Sequence, residues 1–314
     1  MKHIAIGPGA IGYFSMLGAV NRLWDAGALH ELESISGASA GALLAVMIAV
    51  FKFDFDKILQ ASLKVPLKKL RPNIKTLFSE YGLVPRDVTR KLVSDVIPDV
   101  TFEELYKMFP TKVYISAFCV ELTKTDYFSV DSHPQMSVVD AVCMSIAIPF
   151  LFSACTYGDW HYLDGGAIES SPCAPYLGRP RDDVYIMRID CKEDYKINDF
   201  KGYMSMILGS ILRIRHEYNF PTCIIDVKDI DIFDFSAGDE LKMKLFALGY
   251  EKVWVPSSFQ RLCTTCHLAC TCHSQTPESE SEPGRDNRPS TCEILGTMDH
   301  LVQTASDVQD PCAP

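Results

Sequence analysis

The sequence lacks any apolar run long enough to cross a membrane. Its most apolar stretch covers residues 42–51, far short of the ~20 residues that a membrane-spanning helix needs. The start of the chain also lacks the pattern of a secretory signal, because only Lys2 precedes the first apolar run, and Gly7, Pro8 and Gly9 interrupt that run. We therefore expect a cytoplasmic protein that is soluble or peripheral at membranes.

Positive charge is also scarce. The 30 Lys and Arg residues are outnumbered by 40 Asp and Glu, which gives a formal net charge of −10. This balance argues against a nucleic-acid-binding protein. The chain has no internal repeat, and its 314 residues are enough for one large domain with a sizeable core or for two smaller ones.

One stretch is an exception to the acidic balance. Basic residues alternate with apolar residues between positions 63 and 77, and these cations are Lys64, Lys68, Lys69 and Arg71, followed by Lys75. Such a stretch can contact an anionic lipid surface. The solvated face of an ordinary helix or loop is the more common explanation. A peripheral membrane contact through the first four of these cations is therefore kept as a hypothesis.

The composition changes near residue 257. Apolar periodicity fades after Val255, Lys is absent from the remainder, and Ser, Thr, Pro and Glu dominate residues 274–283. This composition predicts a disordered or loosely attached tail. The expected organisation is thus one domain over residues 1–256, followed by a Ser-, Pro- and Cys-rich tail over residues 257–314.

The tail nevertheless holds half of the chain's 12 cysteines. Cys263, Cys266, Cys270 and Cys272 would be enough for one zinc ion, but their two pairs are only four residues apart. Zinc sites normally join separated pairs across a folded loop, so we favour a tail whose cysteines have no specific role and predict no metal site. The other six cysteines lie in apolar runs, which is typical of reduced core residues in a cytoplasmic protein.

Short apolar runs alternate with helical stretches in the first 256 residues. This alternation predicts an α/β fold built on a mainly parallel sheet. Strands are predicted at residues 2–6, 33–36, 113–119 and 184–189, with a hairpin at 157–163. Helices are predicted from residue 13 to a Gly27 C-cap, and at residues 42–51, 85–97, 137–148 and 200–218.

The most informative motif is G-x-S-x-G at residues 37–41, between a predicted strand and a predicted helix. This placement is typical of a nucleophile elbow, in which a serine occupies a sharp, strained turn and small neighbours allow close packing. Ala38 and Ala40 are suitably small. The Ser39 hydroxyl would then lie at a helix N-terminus, where partial positive charge favours a developing anion. Taken alone, the motif also fits a tight turn of small residues at a helix start.

Two further motifs accompany the elbow. The first predicted strand leads into a glycine-rich turn at residues 7–12, whose backbone N–H groups can bind an anion. The predicted hairpin, with its turn at Gly158 and Asp159, runs into Asp164, Gly165 and Gly166. An aspartate between a strand end and two glycines can project its carboxylate to where a catalytic base is needed.

Together the three motifs resemble those of the patatin-like phospholipase family, lipid acyl hydrolases with a Ser–Asp dyad and no catalytic histidine. Residues 145–152 are similar to the family's element of small residues, proline and phenylalanine upstream of D-G-G. Residues 101–105 resemble its T-F-x-E-L helix start, and Thr101 and Glu104 independently form a capping-box pattern. The resemblance covers residues 2–190 with all elements in the same order.

The resemblance implies a three-layer α/β fold with a central, mainly parallel sheet flanked by helices, and hydrolysis of lipid esters without a cofactor. It implies Ser39 as the nucleophile and Asp164 as its base, which requires hydrogen-bond contact and a pKa raised by burial. The backbone amides of Gly9, Ala10 and Ala40 are the implied oxyanion hole. The remaining motif positions are Gly7, Gly12, Gly37, Gly41, Gly165 and Gly166.

Three positions depart from the family pattern. Pro8 replaces a glycine and has no N–H to donate to an oxyanion, Ile11 replaces a basic residue, and Ser170 stands where an asparagine is common. Pro8 and Ile11 motivate an alternative, a catalytically silent scaffold that binds lipid or a partner. A second alternative is a dinucleotide-binding oxidoreductase, because Gly7, Gly9 and Gly12 also match a G-x-G-x-x-G fingerprint.

Overall fold

The computed structural model describes residues 1–67, 70–191, 202–203, 206–207 and 218–256. Its strands are β1 (His3–Ile6), β2 (Ser34–Ala38), β3 (Gly82–Val84), β4 (Lys112–Cys119), β5 (Lys124–Phe128), β6 (Phe150–Phe152), β7 (Cys155–Tyr157), β8 (Trp160–Asp164), β9 (Val184–Cys191) and β10 (Thr222–Val227). Its α-helices are α1 (Tyr13–Asp25), α2 (Ala40–Phe51), α3 (Phe55–Leu63), α4 (Ile74–Ser79), α5 (Arg86–Ser94), α6 (Phe102–Met108), α7 (Val138–Ser145) and α8 (Asp239–Lys252). The predicted helix at 200–218, Lys68, Lys69 and the tail 257–314 lie wholly or mostly outside the described residues.

The main sheet has the order β10-β9-β1-β2-β4-β8-β7, with β5 also paired to β4. Strands β10, β9, β1, β2 and β4 run parallel, whereas β5, β8 and β7 join by antiparallel pairing. The short strands β3 and β6 form a separate parallel pair. The predicted strands and the hairpin are therefore confirmed, as is the mainly parallel sheet.

Strand β4 brings two distant parts of the chain together along one of its edges. Strand β2 pairs with residues 112–116 and β8 pairs with residues 117–119, while β5 pairs with residues 115–119 and so occupies the other edge. Ala38 lies opposite Ser116, and Asp164 lies opposite Ala117. Since β8 is antiparallel to β4, the ends of β2 and β8 meet at this point.

Both faces of the sheet are buried, which explains its apolar strands. Ile4 and Ile6 of β1 pack into the main core together with α1, α2 and α7. Ala5, which points to the opposite face, packs with Tyr176 and Ile186 in a second cluster. Helices thus flank a central sheet, as expected for the predicted α/β class.

The structure also contains the local features that the sequence predicts at helix ends and at the cysteines. Gly27 has a left-handed backbone (φ 76°) directly after the C-cap of α1, and Thr101 and Glu104 form both bonds of the capping box. Five of the cysteines in apolar runs are buried free thiols: Cys119, Cys143, Cys155, Cys173 and Cys223. Within the described residues, no helix combines the length and apolarity needed to span a membrane.

Helices α1 and α8 approach each other at glycines. A Cβ atom added to Gly18 would stand 2.0 Å from the Phe246 carbonyl oxygen, and one added to Gly249 would stand 1.7 Å from the Ser15 oxygen. These contacts are with backbone atoms, which cannot rotate away as a side chain can. The glycines therefore allow α8 to lie directly on α1, the helix that follows the glycine-rich turn.

We expect Gly249→Ala to lower the free energy of unfolding by at least about 2 kcal/mol. In an exposed helix, alanine is more favourable than glycine by ~1 kcal/mol, but the clash of the added methyl group with the backbone of α1 outweighs this gain. The measurement is urea unfolding followed by circular dichroism. Gly238→Ala is the matched control, since nothing lies within 4 Å of a Cβ atom at Gly238. Equal stabilities of the two variants would show that α1 and α8 are not in backbone contact.

Candidate active site

Ser39 occupies a strained turn between β2 and α2. Its backbone angles, φ 54° and ψ −122°, are those of the first central residue of a type II′ turn, a region that residues with side chains rarely adopt. A Cβ atom on Gly37 would stand 2.4 Å from the Gly41 oxygen, and one on Gly41 would stand 2.3 Å from the Ile6 oxygen. The two motif glycines thus let the turn fold tightly on itself and against β1, as the elbow prediction requires.

The Ser39 hydroxyl donates a hydrogen bond to Asp164. The distance from Oγ to Oδ2 is 2.6 Å, and the two residues are only 4% and 3% exposed. The other carboxylate oxygen, Oδ1, accepts the Gly166 N–H at 2.7 Å. One oxygen of Asp164 is therefore fixed by the D-G-G backbone while the other faces the hydroxyl.

Burial controls the proton affinity of Asp164. Removal from water disfavours the charged carboxylate and raises the pKa of Asp164 to about 7, although the hydrogen bonds from Ser39 and Gly166 act in the opposite direction. A base with a pKa near the working pH combines a useful ionised fraction with real affinity for a proton. The site thus has the electrostatics that a Ser–Asp pair needs.

Ser145, the last residue of α7, holds both halves of the site in place. Its Oγ accepts the Ser39 N–H at 2.9 Å, and its carbonyl oxygen accepts the Gly165 N–H at 3.1 Å. Two residues on, the Ala147 oxygen accepts the Asp164 N–H at 3.0 Å. Sequence analysis grouped Ser145 with the 145–152 element but did not recognise this positioning role. Its only sequence signal is that it opens that element.

Two of the three predicted oxyanion donors border the same cleft as Ser39. Ala40 is the first residue of α2, and Ala10 begins a 3-10 helix (Ala10–Gly12) with a positive φ of 45°. First residues of helices have no acceptor for their N–H groups within the helix, so neither amide is used by its own helix. Gly9 lies one residue earlier, and its carbonyl accepts the Gly12 N–H at 2.7 Å.

Pro8 and Ile11, which depart from the family pattern, both pack beside the site. A Cβ atom on Gly166 would stand 2.5 Å from Cβ of Pro8, so the proline ring contacts the loop that fixes Asp164. The Ile11 side chain lines the cleft, and its N–H donates to the Ile232 oxygen at 3.1 Å. Pro8 therefore packs against the loop that carries Asp164, and Ile11 makes the cleft more apolar.

Gly7 and Gly165 also lie close to the backbone of other segments. A Cβ atom on Gly7 would stand 2.7 Å from the Ser170 oxygen, and one on Gly165 would stand 2.1 Å from the Ser116 oxygen. Ser170 is buried behind the glycine-rich turn, and its hydroxyl has no hydrogen-bond partner within the described part of the chain. The serine that replaces the family's asparagine thus backs the turn without making a side-chain bond to it.

An apolar cleft opens beside Ser39. It encloses about 710 Å³, its mouth included, and most of its wall is hydrocarbon: Ile11, Phe14, Leu43, Met47, Val65, Leu67, Ile146, Ile148, Phe152 and Phe235. Tyr13 and Ser62 also line it, but their hydroxyls hydrogen-bond each other at 2.8 Å. The cleft is therefore suited to a hydrocarbon chain, with the Ser39 hydroxyl as its reactive polar group.

No histidine is among the described residues that line the cleft, and His161 pairs with Glu121 through its ring nitrogen. Across the described residues, no group of three His, Cys, Asp or Glu side chains is arranged to hold a metal ion.

Comparison with known proteins gives the family. The sequence profile of the family described as "Patatin-like phospholipase" matches residues 4–176, more than half of the chain. The chain belongs to the patatin-like phospholipase family. This membership supports lipid hydrolysis at the level of the family.

Individual relatives of this patatin-like protein are distant. It is 22% identical over 180 residues to "Probable lipid hydrolase 463L" of Invertebrate iridescent virus 6, covering 54% of this chain and 61% of the viral protein. It is also 24% identical over 275 residues to "Uncharacterized protein R571" of Acanthamoeba polyphaga mimivirus. This match covers 81% of this chain and 92% of the mimivirus protein. The crystal structure of VipD from Legionella pneumophila shares the fold, with a TM-score of 0.52 and 16% sequence identity. The superposition covers 80% of this chain and 65% of the VipD chain.

Asp164→Asn is expected to stabilise the protein increasingly as pH rises. Since burial raises the pKa of Asp164 from its ordinary 3.8 to about 7, the folded state holds a proton that the unfolded state releases between these values, and stability falls across this window. Asparagine avoids this loss and can keep both bonds, so its advantage should grow by roughly 2–3 kcal/mol between pH 5 and pH 8. Urea unfolding at the two pH values measures it.

The control for this experiment is Asp159→Asn, which changes an exposed carboxylate in the turn between β7 and β8. It makes the same chemical change at an exposed position outside the site, so the comparison isolates what is particular to position 164. An Asp164→Asn protein that is no more stable at pH 8 than at pH 5, relative to wild type, contradicts the buried-base assignment.

Proposed function

We propose that this protein is a carboxylic ester hydrolase of the phospholipase A type, which cleaves fatty-acyl esters of phospholipids or related lipids through an acyl-Ser39 intermediate. The observation that carries the proposal is the 2.6 Å hydrogen bond from Ser39 to Asp164 beside a cleft lined mostly by hydrocarbon side chains. A reactive hydroxyl paired with a buried base supplies the nucleophile, and the cleft supplies a place for the acyl chain.

In the first half-reaction, Asp164 accepts the Ser39 hydroxyl proton as Oγ attacks the ester carbonyl carbon. The carbonyl oxygen becomes an oxyanion, for which the amides of Ala10 and Ala40, together with Gly9, are the proposed donors. Collapse of this intermediate breaks the bond to the alcohol oxygen, and the alcohol leaves with the proton held by Asp164. The acyl group remains esterified to Ser39.

In the second half-reaction, Asp164 takes a proton from water while the water oxygen attacks the acyl-Ser39 carbonyl. The same amides stabilise the second oxyanion. When that intermediate collapses, the fatty acid leaves and Ser39 Oγ regains its proton from Asp164. No imidazole is required, because one carboxylate carries the proton in both halves.

The dinucleotide-binding alternative conflicts with the end of β2. That fingerprint requires an acidic side chain at the end of the second strand, to bind a ribose hydroxyl. Strand β2 ends at Ala38 and leads into the Ser39 turn, while Glu33 precedes the strand. The glycine-rich turn is better explained as one wall of the cleft that holds Ser39.

The silent-scaffold alternative rests on Pro8 and Ile11, and an ester series tests it. We expect the kcat/KM of p-nitrophenyl decanoate to exceed that of the acetate at least about tenfold, because each methylene in the cleft contributes about 0.8 kcal/mol. Ser39→Ala should abolish turnover of both esters. Leu43→Trp, which fills the cleft one turn after Ser39, should reduce the decanoate value about tenfold and spare the acetate.

Leu177→Trp is the control for added bulk, because Leu177 is exposed and does not line the cleft. It should leave both rates near wild type. If wild type and Ser39→Ala turn over either ester equally, Ser39 is not the nucleophile. If the wild-type protein binds decanoate but hydrolyses neither ester, the chain is a silent scaffold.

A further inference from the structure

An exposed apolar cluster lies around α4. Ile74 is 62% exposed, Phe78 is 79% exposed and Tyr81 is 59% exposed. Ile74 and Phe78 are four residues apart in α4 and so share one face of the helix, and Tyr81 follows directly before β3. Single exposed apolar residues are common, but a cluster of large ones marks an interaction surface.

The cluster is connected to the apolar cleft through β3, which contacts α4 and pairs with β6. Strand β3 pairs with β6, with Gly82 opposite Phe150 and Val84 opposite Phe152. Phe152 lines the cleft, while Phe150 is 51% exposed and lies across from the residue that follows Tyr81. We call Ile74, Phe78, Tyr81 and Phe150 the rim patch.

The chain before α4 also contributes to the cleft. Val65 and Leu67, which alternate with the basic residues, are partly buried and line the cleft. Other apolar residues of the 63–77 stretch differ in their surroundings: Leu63 and Leu70 pack against the main core, whereas Ile74 belongs to the exposed rim patch.

Unpaired positive charge accompanies the rim patch. Lys64, Arg71 and Lys75 are exposed, and none of them forms an ion pair with another described residue. Elsewhere in this acidic chain, many lysines are paired, among them Lys57, Lys91, Lys107, Lys112 and Lys124. Lys244 and Lys252 form no ion pair with described residues, but they lie on α8, away from the exposed cluster in the sequence. Cations left free beside apolar side chains complement a surface that is both anionic and apolar.

We propose that the rim patch, together with Lys64, Arg71 and Lys75, docks this protein on the surface of an anionic lipid bilayer with the mouth of the cleft towards the lipid. The inference rests on the proposed function, since an acyl chain must leave the bilayer to enter the cleft. Phe78 and Ile74 insert at the level of the headgroups, and the three cations contact anionic headgroups. Lys68 and Lys69 of the same basic stretch lie outside the described residues.

Vesicle flotation of the Ser39→Ala protein tests the proposal, because that variant leaves the lipids intact. We expect it to float with vesicles of phosphatidylcholine and phosphatidylserine, and to bind pure phosphatidylcholine at least about tenfold more weakly. Added salt should weaken binding to the anionic vesicles. Adding Ile74→Ser and Phe78→Ser should reduce binding to both kinds of vesicle about tenfold or more.

Charge reversal separates the two contributions. Adding Arg71→Glu and Lys75→Glu to Ser39→Ala should remove the preference for phosphatidylserine, since each cation near an anionic surface is worth about fivefold in binding. Leu177→Ser is the control for the apolar substitutions. Lys244→Glu with Lys252→Glu, on α8, is the control for charge, and both controls should bind as Ser39→Ala does.

Three outcomes overturn the docking proposal: no flotation, equal losses in the rim and control variants, or a rim variant that changes the oligomeric state while vesicle binding persists. The last result would make the patch a contact between protein molecules. Docking is measured on a Ser39→Ala chain, whereas the proposed hydrolysis is measured with a soluble ester. A failure of one is therefore distinguishable from a failure of the other.

Discussion

One edge of strand β4 determines the site. Strands β2 and β8 share that edge and end against each other, so Ala38 lies opposite Ser116 and Asp164 lies opposite Ala117. Ser39 and Asp164 are 125 residues apart in the chain, yet their side chains are joined at 2.6 Å. The sheet register, rather than a mobile loop, therefore fixes the distance between the hydroxyl and the carboxylate.

The surrounding elements stabilise this contact, although backbone strain at Ser39 and the burial of Asp164 both cost free energy. Ser39 has a backbone conformation that costs of order 1–3 kcal/mol, and Asp164 is buried without a basic side chain among its hydrogen-bond partners. The end of α7 stabilises both segments, since Ser145 bonds the backbone of Ser39 and of Gly165. Strain and raised proton affinity concentrated at one pair of residues are typical of catalytic sites.

The sequence was sufficient to predict the parts of the site that depend on local rules. G-x-S-x-G predicted the turn at Ser39 because only small residues fit there, and D-G-G placed Asp164 at a strand end. The mainly parallel sheet followed from short apolar runs separated by helical stretches. These features depend on residue type and on short spacings, which a sequence displays directly.

The remaining features depend on tertiary packing. Ser145 contacts Ser39 across 106 residues. Apart from its place at the start of the 145–152 element, nothing in the neighbouring sequence distinguishes it from any serine at a helix end. Val65 and Phe78 are both apolar residues in or near the basic stretch, but the first lines the cleft and the second faces solvent. The hydrophobic pattern does not distinguish a cleft-lining residue from an exposed one, because the difference depends on tertiary packing.

The pH dependence of kcat/KM for a soluble short-chain ester tests the central claim most directly. If Asp164 is the base that activates Ser39, kcat/KM should rise about tenfold per pH unit below a single apparent pKa near 7 and stay level above it. The rise should be absent from the residual activity of Asp164→Asn. A profile that is flat from pH 5 to pH 8, or one that Asp164→Asn leaves unchanged, would contradict the assignment of Asp164 as the base.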